Sequence, residues 1–335
     1  MDIGGHVPPL LGEFRPSLHA KLGQTSGWTR WEIQASLVRR YRSLKVDHPF
    51  RNISLSDYFS GKQAVLATMH GKEQVIAPLL EKIGLQVVVS KRINTDLFGT
   101  FSGEVERPAP QLETLRLKAG KCLEIHPKHP LALASEGAFN SHPASPFTVM
   151  HTELVMLKDR SSSLEVIGSH VTLDFKVRRK VITRLEELDE FLNEVSYPEY
   201  GVILKSHSEG KWRVAKDFQT RDEVFRAFET QHTETGEVTV ESDLRAHRNP
   251  RRMKIIGEAT RDLIEKLESR CPDCEFPGFS VTVVARGLPC EECGAPTRGV
   301  LKEILTCACC GGTEERFFPQ GKERAPAGTC DHCNP

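Results

Sequence analysis

The chain has 335 residues, room for two or three domains, and its 45 Lys and Arg against 45 Asp and Glu give a formal net charge of zero. Hydrophobic residues at 39% and charged ones at 27% describe an ordinary globular protein, and the charge balance excludes a bulk polyanion binder while allowing local patches. No run of 18 apolar residues occurs, which excludes a spanning helix. The amino end MDIGGHVPPLLGEFRPS has no basic stretch leading into an apolar one, so the expected compartment is the cytoplasm, with no membrane partner.

Residues 1–60 are poorly specified, with Pro8, Pro9, Pro16 and one short helical pattern at Trp28–Leu44; no chemistry is assigned to them. The pattern sharpens at Lys62. QAVLATMH reads as a buried strand, KEQVIAPLLEKIG as a helix with Gly84 at its C-terminal cap, and LQVVVS as a second strand, which together open a βαβ unit with a parallel pair. After the polar loop NTDLFGTFSGEVERPAPQ, the helix LETLRLKAGKCLEI is expected to bury Leu112, Leu115, Ala119, Cys122 and Leu123. LALASEG follows as a buried strand, FNSHPASPF as a loop, and ELVMLKD with LEVIGSHVTLDF as an antiparallel pair. From residue 176 the segments read helix (KVITRLEELDEFLNEV), strand, strand, helix, strand, then a long helix, RMKIIGEATRDLIEKLES, that runs into Cys271. The expected fold is α/β, a mixed sheet with helices on both faces. Its core domain spans 61–175, a continuation 176–270, and a cysteine module 271–335.

Eight of the ten cysteines form four C-x-x-C pairs, Cys271/Cys274, Cys290/Cys293, Cys307/Cys310 and Cys330/Cys333, separated by hairpin-sized gaps. Two thiolates two residues apart turn onto one metal ion, and two such pairs complete a tetrahedral site, so the module is expected to be zinc-ribbon-like and to hold two structural zinc ions. Neighbouring, nested and cross-braced partitions all fit. The nested one is favoured, because CEECGAPTRGVLKEILTCACC reads as a ribbon by itself.

In open α/β sheets ligands bind beyond the carboxyl ends of strands. Three loops qualify: Thr68–Lys72, Asp96–Glu106 and Ser135–Pro146. In ATMHGKE, Thr68, His70, Gly71 and Lys72 stand at the start of a helix, where exposed N–H groups and the helix dipole favour phosphate. The second loop gathers Asp96, Glu104 and Glu106, with Glu113 in the next helix. Such carboxylates suit magnesium shared with substrate phosphates. Glu136, after a mostly apolar run, needs a partner or a metal at its position.

The motifs ATMHGKE (67–73), GTFSGEVER (99–107), ASEGAF (134–139) and RAHRNPRRM (245–253), with the paired C-x-x-C knuckles, resemble those of an uncharacterised bacterial domain family of unknown function. The order strand, Lys-bearing turn, helix with E-T-L-R-L-K-A, then strand ending in an acid is similar to the inosine-triphosphate pyrophosphatase and Maf-like fold. Two departures stand out: His70 replaces the usual asparagine, and a single glutamate replaces a double aspartate. That resemblance implies a magnesium-dependent hydrolase of a nucleotide or another small phosphate compound. Glu104, Glu113 and Glu136 would be its catalytic residues, and Lys72, Arg116 and Lys118 would neutralise phosphate. The alternative is a zinc-containing nucleic-acid-binding or interaction protein, with RAHRNPRRMK (245–254) and KVRRK (176–180) as basic runs. Local structure accounts for Asn249 as a helix cap and Pro250 at the first helical position, but leaves Asp243, Arg245 and His247 unexplained.

Overall fold

Alternating side chains on the first strand decide the layering. In the computed structural model, which describes residues 50, 52–99, 105–142, 145–162 and 164–334, β1 (Gln63–Ala67) is buried on both faces. Ala64 and Leu66 join one cluster with Ile76, Leu80, Ile256, Ala259 and Leu263, while Val65 and Ala67 join Cys122 and Leu123 on the other side. Helices therefore cover both faces. α1 (Leu55–Phe59), α2 (Glu73–Glu81) and α6 (Pro250–Glu268) contribute to the first cluster, and α3 (Gln111–Ile125) covers the second. The helix expected at Trp28–Leu44 lies outside the described residues, as does Glu104.

The first sheet has the order β2-β1-β3-β4-β5. β2 (Gln86–Val89) and β3 (Leu131–His142) run parallel to β1, and β4 (Ser145–Asp159) and β5 (Glu165–Thr172) complete it antiparallel, so the sheet is mixed. Gly84 ends the first helical turn region with a φ of 81°, the left-handed conformation expected of a terminating glycine. Three local expectations need correction. Within the stretch Ser135–Pro146, expected as a loop, residues 135–142 are strand: β3 continues to His142 and pairs with β4 in a long hairpin. Leu112 is exposed and Lys118 is buried instead, because the helix turns Thr114, Leu115, Lys118, Ala119 and Cys122 inward. The segment after Lys176 opens as strand β6 (Arg179–Ile182), paired with β9, and its helix starts only at Leu185. The β-branched run Val181–Thr183 favours the extended chain there.

The second sheet, β6-β9-β7-β8, is antiparallel throughout, with β7 at Val202–Ser208, β8 at Lys211–Ala215 and β9 at Val238–Ser242. α4 (Leu185–Glu194) and α5 (Arg221–Thr235) pack on it around Leu188, Phe191, Leu204, Phe228 and Val240. The chain then returns to the first sheet through α6. Asn249 Oδ1 accepts from Arg252 N at 3.0 Å and Pro250 fills the first helical position, as the sequence requires. A third, three-stranded antiparallel sheet follows: β10 (Ser280–Arg286), β11 (Val300–Thr306) and β12 (Thr313–Phe317). Residues His48–Pro335 form one compact unit.

Candidate functional site

The turn after β1 and the amino end of α2 open one wall of a cleft, and β3 supplies the opposite wall. Thr68, His70, Lys72, Asp96, Lys118, Ser135 and Glu136 line it, together with Lys216 after β8, Arg245 between β9 and α6, and Arg252 in the first turn of α6. Five Lys or Arg side chains thus face two carboxylates across one small volume. The sequence-expected Thr68, His70, Lys72, Lys118 and Glu136 are brought together there. Gly71 lies on the same turn with a φ of 68°.

Glu136 is buried, as the apolar run before it implies, and its partners are cations. Lys118 Nζ donates to Glu136 Oε2 at 2.5 Å, and Arg107 Nη2 lies 3.0 Å from Oε1 while donating to Gly137 O at 2.6 Å. Both carboxylate oxygens are therefore engaged. Lys72 Nζ donates to Ser135 Oγ at 3.0 Å, and both groups are buried. Burial, reinforced by the nearby Arg252 charge, brings the Lys72 ammonium down to about 7.

His70 Nε2 lies 2.9 Å from Asp96 Oδ1, and the His70 ring stacks on His247 with centroids 5.0 Å apart. Burial takes His70 down to about 4 against the opposing pull of Asp96, so the ring is neutral at physiological pH. With Asp96 accepting from Nε2–H, the Nδ1 lone pair is left to act as a base.

Behind this wall lies a buried charge network. Arg252 Nε donates to Glu153 Oε1 at 2.5 Å, and His151 Nε2 lies 2.9 Å from the same oxygen. Arg245 makes paired contacts with both Asp243 and Asp217. The basic run 245–254 is therefore divided, with two of its cations turned inward and Lys254 exposed. Arg245 and Arg252 are buried, Arg248 donates to Phe218 O, and Arg251 pairs with Asp174. Run 176–180, by contrast, is exposed.

Two expected residues fall elsewhere. Glu113 and Arg116 border a shallow depression on the outer face of α3, and Arg116 Nε donates to Glu165 Oε1 at 2.7 Å. The reason is helical geometry: at about 100° per residue Glu113 and Lys118 are about 140° apart, and Lys118 takes the inward face. The trio Glu104, Glu113 and Glu136 expected to hold magnesium is thus not assembled by the described residues, and Glu136 already carries two cations. Sequence reading passed over Ser135, Glu153 and Arg252. Glu153 carried the same signal as Glu136, an acid beside an apolar strand run.

The cysteines gather into two tetrads positioned to hold metal ions: Cys271, Cys274, Cys307 and Cys310, then Cys290, Cys293, Cys330 and Cys333. Sulfurs approach at 3.6 Å (Cys271–Cys310) and 3.5 Å (Cys274–Cys307) in the first, and at 3.9 Å (Cys290–Cys333) and 3.7 Å (Cys293–Cys330) in the second. The partition is interleaved, first pair with third and second with fourth, which corrects the nested expectation. Strand register explains it. Ser280 pairs with Thr306, so the knuckle preceding β10 meets the knuckle following β11, and the opposite end of that hairpin leaves Cys290 and Cys293 for the last pair. A parallel bridge from Cys290 to Ala325 brings that last pair into reach.

Among known proteins, a family described as a domain of unknown function, DUF6671, matches residues 119–335. No curated protein and no solved structure matches the chain. The matched stretch covers more than half of the chain, takes in Glu136, Glu153, Arg245, Arg252 and all eight tetrad cysteines, and shows that the chain belongs to the DUF6671 family.

Proposed function

We propose that the cleft binds a phosphate-bearing small molecule, with nucleotides the foremost class, and hydrolyses it, while the cysteine module is structural. The observation that carries this reading is the convergence of Lys118, Arg245 and Arg252 beyond the carboxyl end of β1 and beside Ser135 and Glu136 of β3, with the His70–Asp96 pair in the same cleft. A cation-lined wall favours phosphate oxygens as charge develops on them, and Glu136 with Arg107 fixes the position of Lys118. Neutral His70, oriented by Asp96, is suited to take a proton from the attacking water. Lys72 is suited to proton transfer as well as to charge neutralisation, since burial and then the Arg252 charge bring its ammonium down to about 7. No step is assigned to a magnesium ion held by Glu104, Glu113 and Glu136.

The metal of the tetrads is proposed to be zinc. A regular tetrahedron with edges of about 3.7 Å has its centre about 2.3 Å from each corner, the zinc–thiolate bond length. Zinc there would supply folding energy rather than chemistry, since each ion would have four protein ligands and no open position.

The test is release of phosphate or pyrophosphate by the full-length protein from a panel of standard and deaminated nucleoside triphosphates and simple phosphate esters, with and without added magnesium. Turnover reduced at least tenfold by His70→Ala and by Lys118→Gln is expected. Absence of turnover across the panel, with no binding of pyrophosphate, would remove the hydrolase reading.

A further inference from the structure

The contact between Lys72 and Ser135 is not needed to hold the fold. Ser135 sits on β3, which is already anchored by its pairing with β1 and β4, and Lys72 precedes a helix that needs no side-chain cap from it. Yet the chain directs a long, flexible amine into a buried position, 7% exposed, to meet the hydroxyl of Ser135, itself 2% exposed.

We infer that Ser135 is a nucleophile and Lys72 its base, so that hydrolysis in this cleft passes through a phosphorylated Ser135. The inference rests on the hydrolase reading for its substrate and on the 3.0 Å Nζ–Oγ contact for its chemistry. In the first step Oγ bonds to the attacked phosphorus, its proton passes to Lys72 Nζ, and the bond to the leaving phosphate breaks, the leaving group departing as an anion. In the second step water bonds to the same phosphorus and gives a proton to His70. The Oγ–P bond breaks, Oγ recovers the proton held on Lys72, and His70 releases its own to solvent. The sum is one phosphoanhydride and one water converted to two phosphates and a proton. A neutral amine is required at the start, and burial beside Arg252 provides one at about pH 7.

Diisopropyl fluorophosphate, which phosphorylates activated serines with loss of fluoride, is the probe. The full-length, metal-loaded protein is treated and its peptides are mapped by mass spectrometry. An adduct at Ser135 is expected, absent in Ser135→Ala and formed at least tenfold more slowly in Lys72→Met and Lys72→Arg, with melting temperature and metal content of each variant as controls for folding. No adduct at Ser135 in the folded wild type overturns the inference. Nucleotide turnover that survives Ser135→Ala also overturns it while sparing the hydrolase reading. An adduct without turnover of any nucleotide supports the nucleophile and sinks the phosphate substrate.

Discussion

Replacing Arg252 by Met removes the main cation from a carboxylate that has no exposure to water. Burial alone would raise the Glu153 carboxyl, but Arg252, with His151 and Lys72, outweighs it and holds the group at about 2 against an ordinary 4.5. At about 1.4 kcal/mol per tenfold change, that is roughly 3–4 kcal/mol of stability at neutral pH. It agrees with the roughly 3–5 kcal/mol expected when one partner of a buried pair is deleted. The sign with pH is distinctive. In the wild type this contribution is present above about 4.5 and is lost as pH falls towards about 2. In Arg252→Met burial dominates, the folded carboxyl titrates above its unfolded value, and stability declines as pH rises from there. Urea denaturation followed by circular dichroism at pH 5.5 and pH 8 reads both, and thiolate–metal contributions cancel in the difference between the two proteins. The gap should widen at the higher pH, and Glu153→Gln in the Arg252→Met background should recover at least half of it. A variant within about 1 kcal/mol of wild type at pH 8 would refute the reasoning.

Other outcomes follow from the same geometry. Because Lys72 is brought to about 7 by burial and then by Arg252, kcat/KM should climb with pH below 7 and level off above it. His70, at about 4, should add no inflection between pH 6 and 9, and a profile that falls through pH 7 would contradict the role of Lys72 as base. Cys274→Ser and Cys293→Ser should each leave one metal ion per chain by elemental analysis. Cys274→Ser should lower the melting temperature more, since Cys274 is buried in the main core and Cys293 is exposed. Gly168→Ala should destabilise by about 1–3 kcal/mol, because its Cβ would stand 2.1 Å from Ala259 O on α6. Gly120→Ala, with open space around it on α3, should stabilise by about 0.5–1 kcal/mol in the same melts.

Much of the fold was legible where local pattern and tertiary context agree. The apolar run of β1, the stripe of α2 and the glycine after it require no distant information. The cysteine pairs were legible as metal knuckles from their spacing, but their partition was not, since it depends on Ser280 meeting Thr306 across a hairpin. Glu136 announced itself as an acid in apolar company. Arg245 and Arg252 did not: a basic run at a helix start looks like a solvated surface, and only carboxylates distant in sequence or from the preceding loop, Glu153 for Arg252 and Asp217 with Asp243 for Arg245, hold those side chains inward. Glu113 was drawn into the site by its spacing in a motif, although the helical angle separating it from Lys118 already opposed that placement. The region after Gly137, expected as a loop, is strand as far as His142 because β4 offers it a partner there.

The most direct measurement is a crystal structure of the full-length protein grown with inorganic pyrophosphate. The account predicts the anion in the cleft, within hydrogen-bonding reach of Lys118 and Arg245 and beside Ser135. A cleft without the anion at saturating pyrophosphate, or the anion bound at a different surface, would contradict it.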